Sequence, residues 1–147
     1  MFRRGFRLFS SASILLILVA LMHQFGHVGP PPDDPARDRA MEAMEAYRLP
    51  LPLGMRPSLR SVMAALSVTM TVTFIALAIQ NLAAAAADSP DRRIVRRLAL
   101  VSALTVGVLV AVFAHYRISP PLVLMSIVGA LFLLAYVLPG RERNGPA

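Results

Sequence analysis

Long stretches of the sequence without a charged residue limit the fold more than any other feature does. Three of them lie between Arg60 and Asp88, over residues 98–116 and over residues 118–140. A mostly apolar stretch of roughly 18 or more uncharged residues is long enough to cross a bilayer as an α-helix. The hydrophobic fraction of the whole chain is 56%, above the ~45–50% of soluble domains. The sequence therefore predicts an integral membrane protein.

The N-terminal segment presents a choice between a signal peptide and a first membrane span. Its start is basic and its centre is apolar, as in a signal sequence, but cleavage also needs small residues before the cut. The run VALM at 19–22 lacks that pattern, and bulky residues continue to Phe25. We therefore expect an uncleaved first helix rather than a removed peptide.

The expected fold is all-α: a four-helix transmembrane bundle that forms a single integral membrane domain over residues 1-147. A short amphipathic extramembrane helix is expected between spans 1 and 2. The expected bounds are about 8-27, 57-87, 98-116 and 121-138 for the spans and about 35-48 for the outer helix.

Local signals indicate where three of these helices begin. Pro57 suits the first turn of span 2, because its missing N–H leaves no bond unmade. Asp34 followed by Pro35 suits the cap and first turn of the outer helix. Ser119 is expected to cap span 4, with Pro120 at the first position.

The outer helix carries an apolar stripe and a charged face. Ala40, Met41, Met44 and Tyr47 fall at helical spacing, so this stripe is expected to lie on the membrane surface or to cap the bundle. The two methionines are interpreted as adaptable packing rather than as a copper contact. The wet face is expected to carry two i,i+3 ion pairs, Arg39–Glu42 and Glu45–Arg48.

Small and polar residues indicate how the spans would pack. Span 3 has small residues at successive fours on one face, which allow another helix to approach closely: Ala99, Ala103, Gly107 and Ala111. The hydroxyls of span 2 are expected to bond back to its own carbonyls, and Asn81 is expected to lie in headgroup water. No span interior contains an acidic or basic residue, which disfavours a pump or a coupled transporter.

The distribution of arginine predicts the orientation. With Met1 inside, six arginines fall on outer segments and nine on inner ones, at positions 3, 4, 7, 92, 93, 96, 97, 141 and 143. Because arginine is enriched on the cytoplasmic side, we expect a multi-pass protein of the bacterial inner (plasma) membrane with both termini cytoplasmic. The lipid bilayer is then the first partner of the chain.

The histidines form the candidate site. His23 and His27 are four residues apart at the end of span 1, and His115 ends span 3 at the same expected membrane surface. Histidines four apart share a helix face and can bind one divalent metal, with the third histidine as a further ligand. One histidine from each helix could instead hold haem b axially. The alternative is that all three are amphipathic anchors at the membrane interface, which leaves the chain with no cofactor.

Several other classes of function are excluded or disfavoured. The chain has no cysteine, so disulfides and thiolate chemistry are excluded. Its net charge of +7 reflects arginines beside the spans, with no basic patch interleaved with aromatics, so no nucleic acid partner is expected. No phosphate-binding glycine loop, serine–histidine–acid arrangement or H-E-x-x-H motif indicates an enzyme.

Short motifs beside the first two spans resemble those of a known family. They are Gly26-His27, then Ala43-Met44-x-Ala46-Tyr47, then Gly54-Met55-Arg56-Pro57-Ser58-Leu59 before span 2. In these the chain is similar to an uncharacterised family of small bacterial four-span membrane proteins with no assigned activity. The resemblance implies architecture only.

Two functions remain open from the sequence. The first is a structural or accessory role, in which the protein contacts copies of itself as a homo-oligomer or joins a larger membrane complex through its small-residue faces. The alternative is a metal- or haem-binding redox component with its histidines at the outer membrane face.

Overall fold

The computed structural model describes residues 4–25, 33–87 and 93–138, and over these residues the fold is all-α, as predicted. These residues form five α-helices: α1 Arg4–Phe25, α2 Pro35–Ala46, α3 Leu59–Ala87, α4 Arg93–His115 and α5 Ser119–Val137. All of them except α2 are long and apolar enough to cross a membrane.

The starts of the helices follow their capping side chains. In α2 the predicted cap is confirmed, since Asp34 Oδ1 accepts the N–H of Ala36 at 2.9 Å. The start predicted for α3 at Pro57 is two residues early, because Ser58 Oγ accepts the N–H of Ser61 at 3.1 Å and so caps this helix instead. Ser119 was also assigned wrongly as a cap: it is the first residue of α5.

The turn between α4 and α5 ends α4 with a Schellman motif. The N–H of Ile118 donates to Phe113 O at 2.9 Å, and the N–H of Arg117 donates to Ala114 O at 3.2 Å. Arg117 holds φ 56°, in the position that glycine usually takes. The carbonyls at the end of α4 are thus satisfied while the chain reverses within three residues.

By their contacts, the residues form two compact units, one of 1–19 with 74–147 and the other of 20–73. In the first unit α4 packs along α5, and the N-terminal part of α1 also packs on α5. Phe9 and Phe132 meet edge to face with centroids 5.7 Å apart, and both are fully buried. A Cβ at Gly5 would lie 3.2 Å from Leu138 O and 3.3 Å from Ala135 O. The absence of a side chain there permits this close approach of two backbones.

The buried face of α4 differs from the predicted small-residue face. The buried residues are Val95, Ala99, Ser102 and Val106, which follow a spacing of four, three and four. Gly107 and Ala111 are exposed, and a Cβ at Gly107 would meet nothing within 4 Å. The close contact instead comes from α5, where a Cβ at Gly129 would lie 3.2 Å from Val106 Cγ1. α4 therefore leaves the C-terminal half of its small-residue face, Gly107 and Ala111, open.

Candidate functional site

Two of the three candidate histidines lie in the described residues. His23, near the end of α1, has its Nε2 at 2.9 Å from Ser67 Oγ of α3. His115, the last residue of α4, is exposed and meets the ring of Tyr116 edge to face, with centroids 4.9 Å apart. His27 lies outside the described residues. The prediction that His23, His27 and His115 share a metal or haem site therefore stays a prediction.

The contact of His23 bears on that prediction. Ser67 occupies the ring nitrogen Nε2 of His23, so a metal bound through this atom would have to displace the hydroxyl. Over residues 4–25, 33–87 and 93–138, no three histidine, aspartate or glutamate side chains are grouped as metal ligands. The geometry of His23 is that of a hydrogen-bonding residue between two helices.

A second bond next to His23 also joins α1 to α3. Thr71 Oγ1 donates to Gln24 Oε1 at 3.1 Å and also lies 3.1 Å from Ser67 O, one turn back. Thr71 is buried. We call His23, Gln24, Ser67 and Thr71 the α1–α3 polar cluster. The prediction that hydroxyls of this helix bond to its own carbonyls is thus confirmed at Thr71 and at Thr73, which donates to Thr69 O at 2.8 Å. The hydrogen bond from Thr71 to Gln24 of α1 was not predicted.

Asn81 forms an equivalent link in the first unit. Its Nδ2 donates to Ser102 Oγ of α4 at 3.1 Å, and both side chains are 2% exposed. The sequence analysis placed Asn81 in headgroup water, which is wrong. Asn81 and Ser102 both lie within about three turns of the connection between α3 and α4. A search for polar residues at similar distances from that connection, one on each helix, could have found the pair.

The segment between α2 and α3 forms a hairpin, which we call the proline hairpin and define as residues 47–59. Three backbone hydrogen bonds of 2.9–3.0 Å join its two arms. They run from Leu59 N–H to Tyr47 O, from Leu49 N–H to Pro57 O and from Leu51 N–H to Met55 O. Pro57 cannot return a bond because it has no N–H. At the tip, Leu53 and Gly54 turn the chain with φ 65° and φ 74°.

A buried hydroxyl joins the base of the hairpin to α2. Ser58, which caps α3, also donates its Oγ to Glu45 Oε2 at 3.1 Å and is fully buried. Glu45 lies 3.9 Å from Arg48 Nη2, which confirms the predicted i,i+3 pair. Arg39 donates its Nε to Pro35 O at 3.0 Å. Ser58 thus holds the end of α2, the hairpin and the start of α3 together.

The predicted apolar stripe of α2 is only partly covered. Met41 and Met44 are half-buried, whereas Ala40 and Tyr47 are exposed, and no residue of α2 is fully buried. At its N-terminal end a shallow depression is lined by Asp33, Asp34, Pro35, Asp38, Arg39 and Glu42. Carboxylates at this end of a helix are stabilised by its dipole, which accounts for their position.

No protein-family model, curated protein or solved structure matches the chain.

Proposed function

We propose that the chain is a small multi-pass integral membrane protein with a structural or accessory role, acting through contacts between helices. One observation supports this above all: polar side chains in the long apolar helices are used to join one helix to another. Asn81 bonds to Ser102 within the first unit, and His23 bonds to Ser67 within the second. Hydrogen bonds of this kind hold helices together in lipid.

The open face of α4 supplies the surface for an outside contact. Gly107 and Ala111 are exposed, and a Cβ at Gly107 would meet no atom of the described residues within 4 Å. Small residues at a spacing of four let a second helix approach closely in a bilayer. This face fits a helix of a second copy or of a larger membrane complex.

Intact-complex mass spectrometry of the protein extracted in mild detergent tests this role. We expect the wild type to run as an assembly, with itself or with a companion protein, and Gly107→Leu to shift most of it to the monomer, because a leucine keeps the partner helix away. The matched control is Val101→Leu, which adds bulk at a position that is 57% exposed elsewhere on α4. A wild type found only as a lone monomer would overturn the proposal.

The membrane and the orientation are part of the same proposal. We propose the bacterial inner membrane, with Met1 and Ala147 on the cytoplasmic side. The count of nine inner arginines against six outer ones supports this, and an even number of spans returns the chain to the side from which it started.

A further inference from the structure

We propose that the tip of the proline hairpin, residues 51–55, inserts into the lipid surface as a shallow anchor beside α3; this rests on the membrane residence proposed above. The tip presents Leu51, Leu53 and Met55, which are 40%, 95% and 52% exposed. Between Leu49 and Met55 no residue is charged or has a polar side chain. An apolar tip of this kind favours transfer from water to the headgroup and acyl boundary.

Leu53 is an unusual residue for the backbone conformation that it adopts at the tip. Its φ of 65° and ψ of 18° lie in the left-handed region, which disfavours a residue with a Cβ and is readily adopted by glycine or asparagine. The side chain is 95% exposed, so packing within the chain does not compensate for the strain. Burial of the leucine in lipid gives this position a physical reason to be apolar.

The place of the hairpin in the second unit favours lipid over other occupants. Its base is joined to the first turn of α3 through Ser58, and the six residue steps from Leu53 to Leu59 extend at most ~20 Å. The tip is therefore tethered within that distance of the start of a helix apolar enough to span a membrane. Exposed arginines also surround the arms and the base, at positions 48, 56 and 60, and these attract anionic lipid phosphates.

The backbone of the hairpin suits a shallow position in lipid. An N–H group that lacks a partner is costly away from water. Three of the residues in 49–58 are prolines, at positions 50, 52 and 57, and have no N–H. The N–H groups of Leu49 and Leu51 are already bonded across the hairpin. A shallow position leaves the other N–H groups, at positions 53–56 and 58, within reach of headgroup water.

Lipid quenching of a single fluorescent label tests this inference, because the chain has no cysteine of its own. The full chain with Leu53→Cys, labelled with a polarity-sensitive dye, is placed in phosphatidylcholine–phosphatidylglycerol vesicles without bromine, with bromine near the headgroup, or with bromine near the middle of the acyl chains. The last of these reaches a label at the centre of a span, such as position 104. Leu104→Cys, at a position that is 63% exposed on α4, reports whether the span lies in lipid. Glu42→Cys, on the charged face of α2, is the aqueous control.

We expect bromine to lower the fluorescence at position 53 by about twofold, as for a group ~5–10 Å deep, and to leave position 42 unchanged. Quenching at 104 without quenching at 53 would overturn the inference and leave the membrane proposal intact. That outcome covers a tip in water and a tip shielded by a protein or by a second copy. No quenching at 104 would instead overturn the membrane proposal.

A second variant separates lipid contact from folding of the hairpin. Leu53→Asn keeps a residue that tolerates φ near 65° but removes the apolar side chain, and a label at Met55→Cys then reports the tip. We expect bromine quenching at position 55 to fall to the level of position 42, while the N–H groups of Leu49 and Leu51 keep their protection from hydrogen exchange. Unchanged quenching at 55 would show that Leu53 is not the anchor.

Discussion

At the scale of single residues, Arg117 and Leu53 adopt backbone conformations that are usual for glycine. Arg117 and Leu53 have φ 56° and φ 65°, and for an L-residue the left-handed region costs about 1–2 kcal/mol. At Arg117 the conformation is imposed by the two bonds that close α4. Neither could be predicted from the sequence, because turn patterns favour glycine or asparagine at such positions.

Arg117→Gly is expected to raise the midpoint of thermal unfolding in detergent, because glycine removes the strain without disturbing the bonds that close α4. Arg117→Ala is the matched control: it removes the same charge but retains a Cβ, so it should leave the midpoint close to that of the wild type. Circular dichroism during heating measures both variants. Equal shifts for the two would attribute the effect to the charge instead of the backbone.

The bond between His23 and Ser67 is expected to be a stabilising contact in its own right. Replacing either partner by alanine should destabilise the protein, and the double variant should show a coupling of about 0.6 kcal/mol, as for other hydrogen bonds between membrane helices. Titration of unfolding with a denaturing detergent measures this. Elemental analysis and the Soret absorbance of wild type and His23→Ala should be the same; loss of a stoichiometric metal or haem in the variant would favour a ligand role.

At the scale of helices, the sequence predicted number and type well and interfaces poorly. The four long helices follow from uncharged apolar length alone. The buried face of α4 does not, because Val95, Ser102 and Val106 are buried, whereas the small residues Gly107 and Ala111 are exposed. Which side of an apolar helix meets its neighbours depends on the other helices, and a single sequence with apolar residues all round does not encode it.

Gly5→Ala tests the closest approach between helices. Its Cβ would lie 3.2–3.3 Å from the backbone oxygens of Leu138 and Ala135, at the end of α5. Backbone oxygens cannot rotate away as a side chain can, so we expect a lower midpoint of unfolding. Gly107→Ala is the control when both variants are measured on the monomer, where the proposed partner helix is absent. A Cβ there meets nothing within the described chain, and alanine is the better helix former by about 1 kcal/mol. Similar destabilisation by both would show that the contact at Gly5 has no special weight.

At the scale of the whole molecule, the arginines predict an orientation and the histidines predict a shared site. The described contacts pair His23 with Ser67 and His115 with Tyr116, whereas the sequence suggested one shared site. That suggestion came from matching ends of spans, which places residues on one membrane surface but does not determine their distance within it. Polar pairs such as Asn81–Ser102 also depend on which helix faces lie together, and this pair was missed.

The orientation can be measured with single cysteines, since the native chain has none. In intact spheroplasts a membrane-impermeant maleimide is expected to label Asp38→Cys, on α2, but to label Ala147→Cys only after the membrane is opened. The physical reason is the excess of arginine on the inner segments. A separate variant with a cysteine inserted after Met1 tests whether the two ends are labelled from the same side. Labelling of the two ends from opposite sides would contradict an even number of spans.

The prolines of the hairpin have a consequence for solubility during synthesis and assembly. An extended, apolar and exposed segment is normally a template on which another chain can add a β-strand, which is the first step toward aggregation. In residues 47–59 the outward edge of the first arm is interrupted by Pro50 and Pro52, so an incoming strand finds no continuous row of donors there. The chain can thus keep Leu53 almost fully exposed without presenting a surface for cross-β growth.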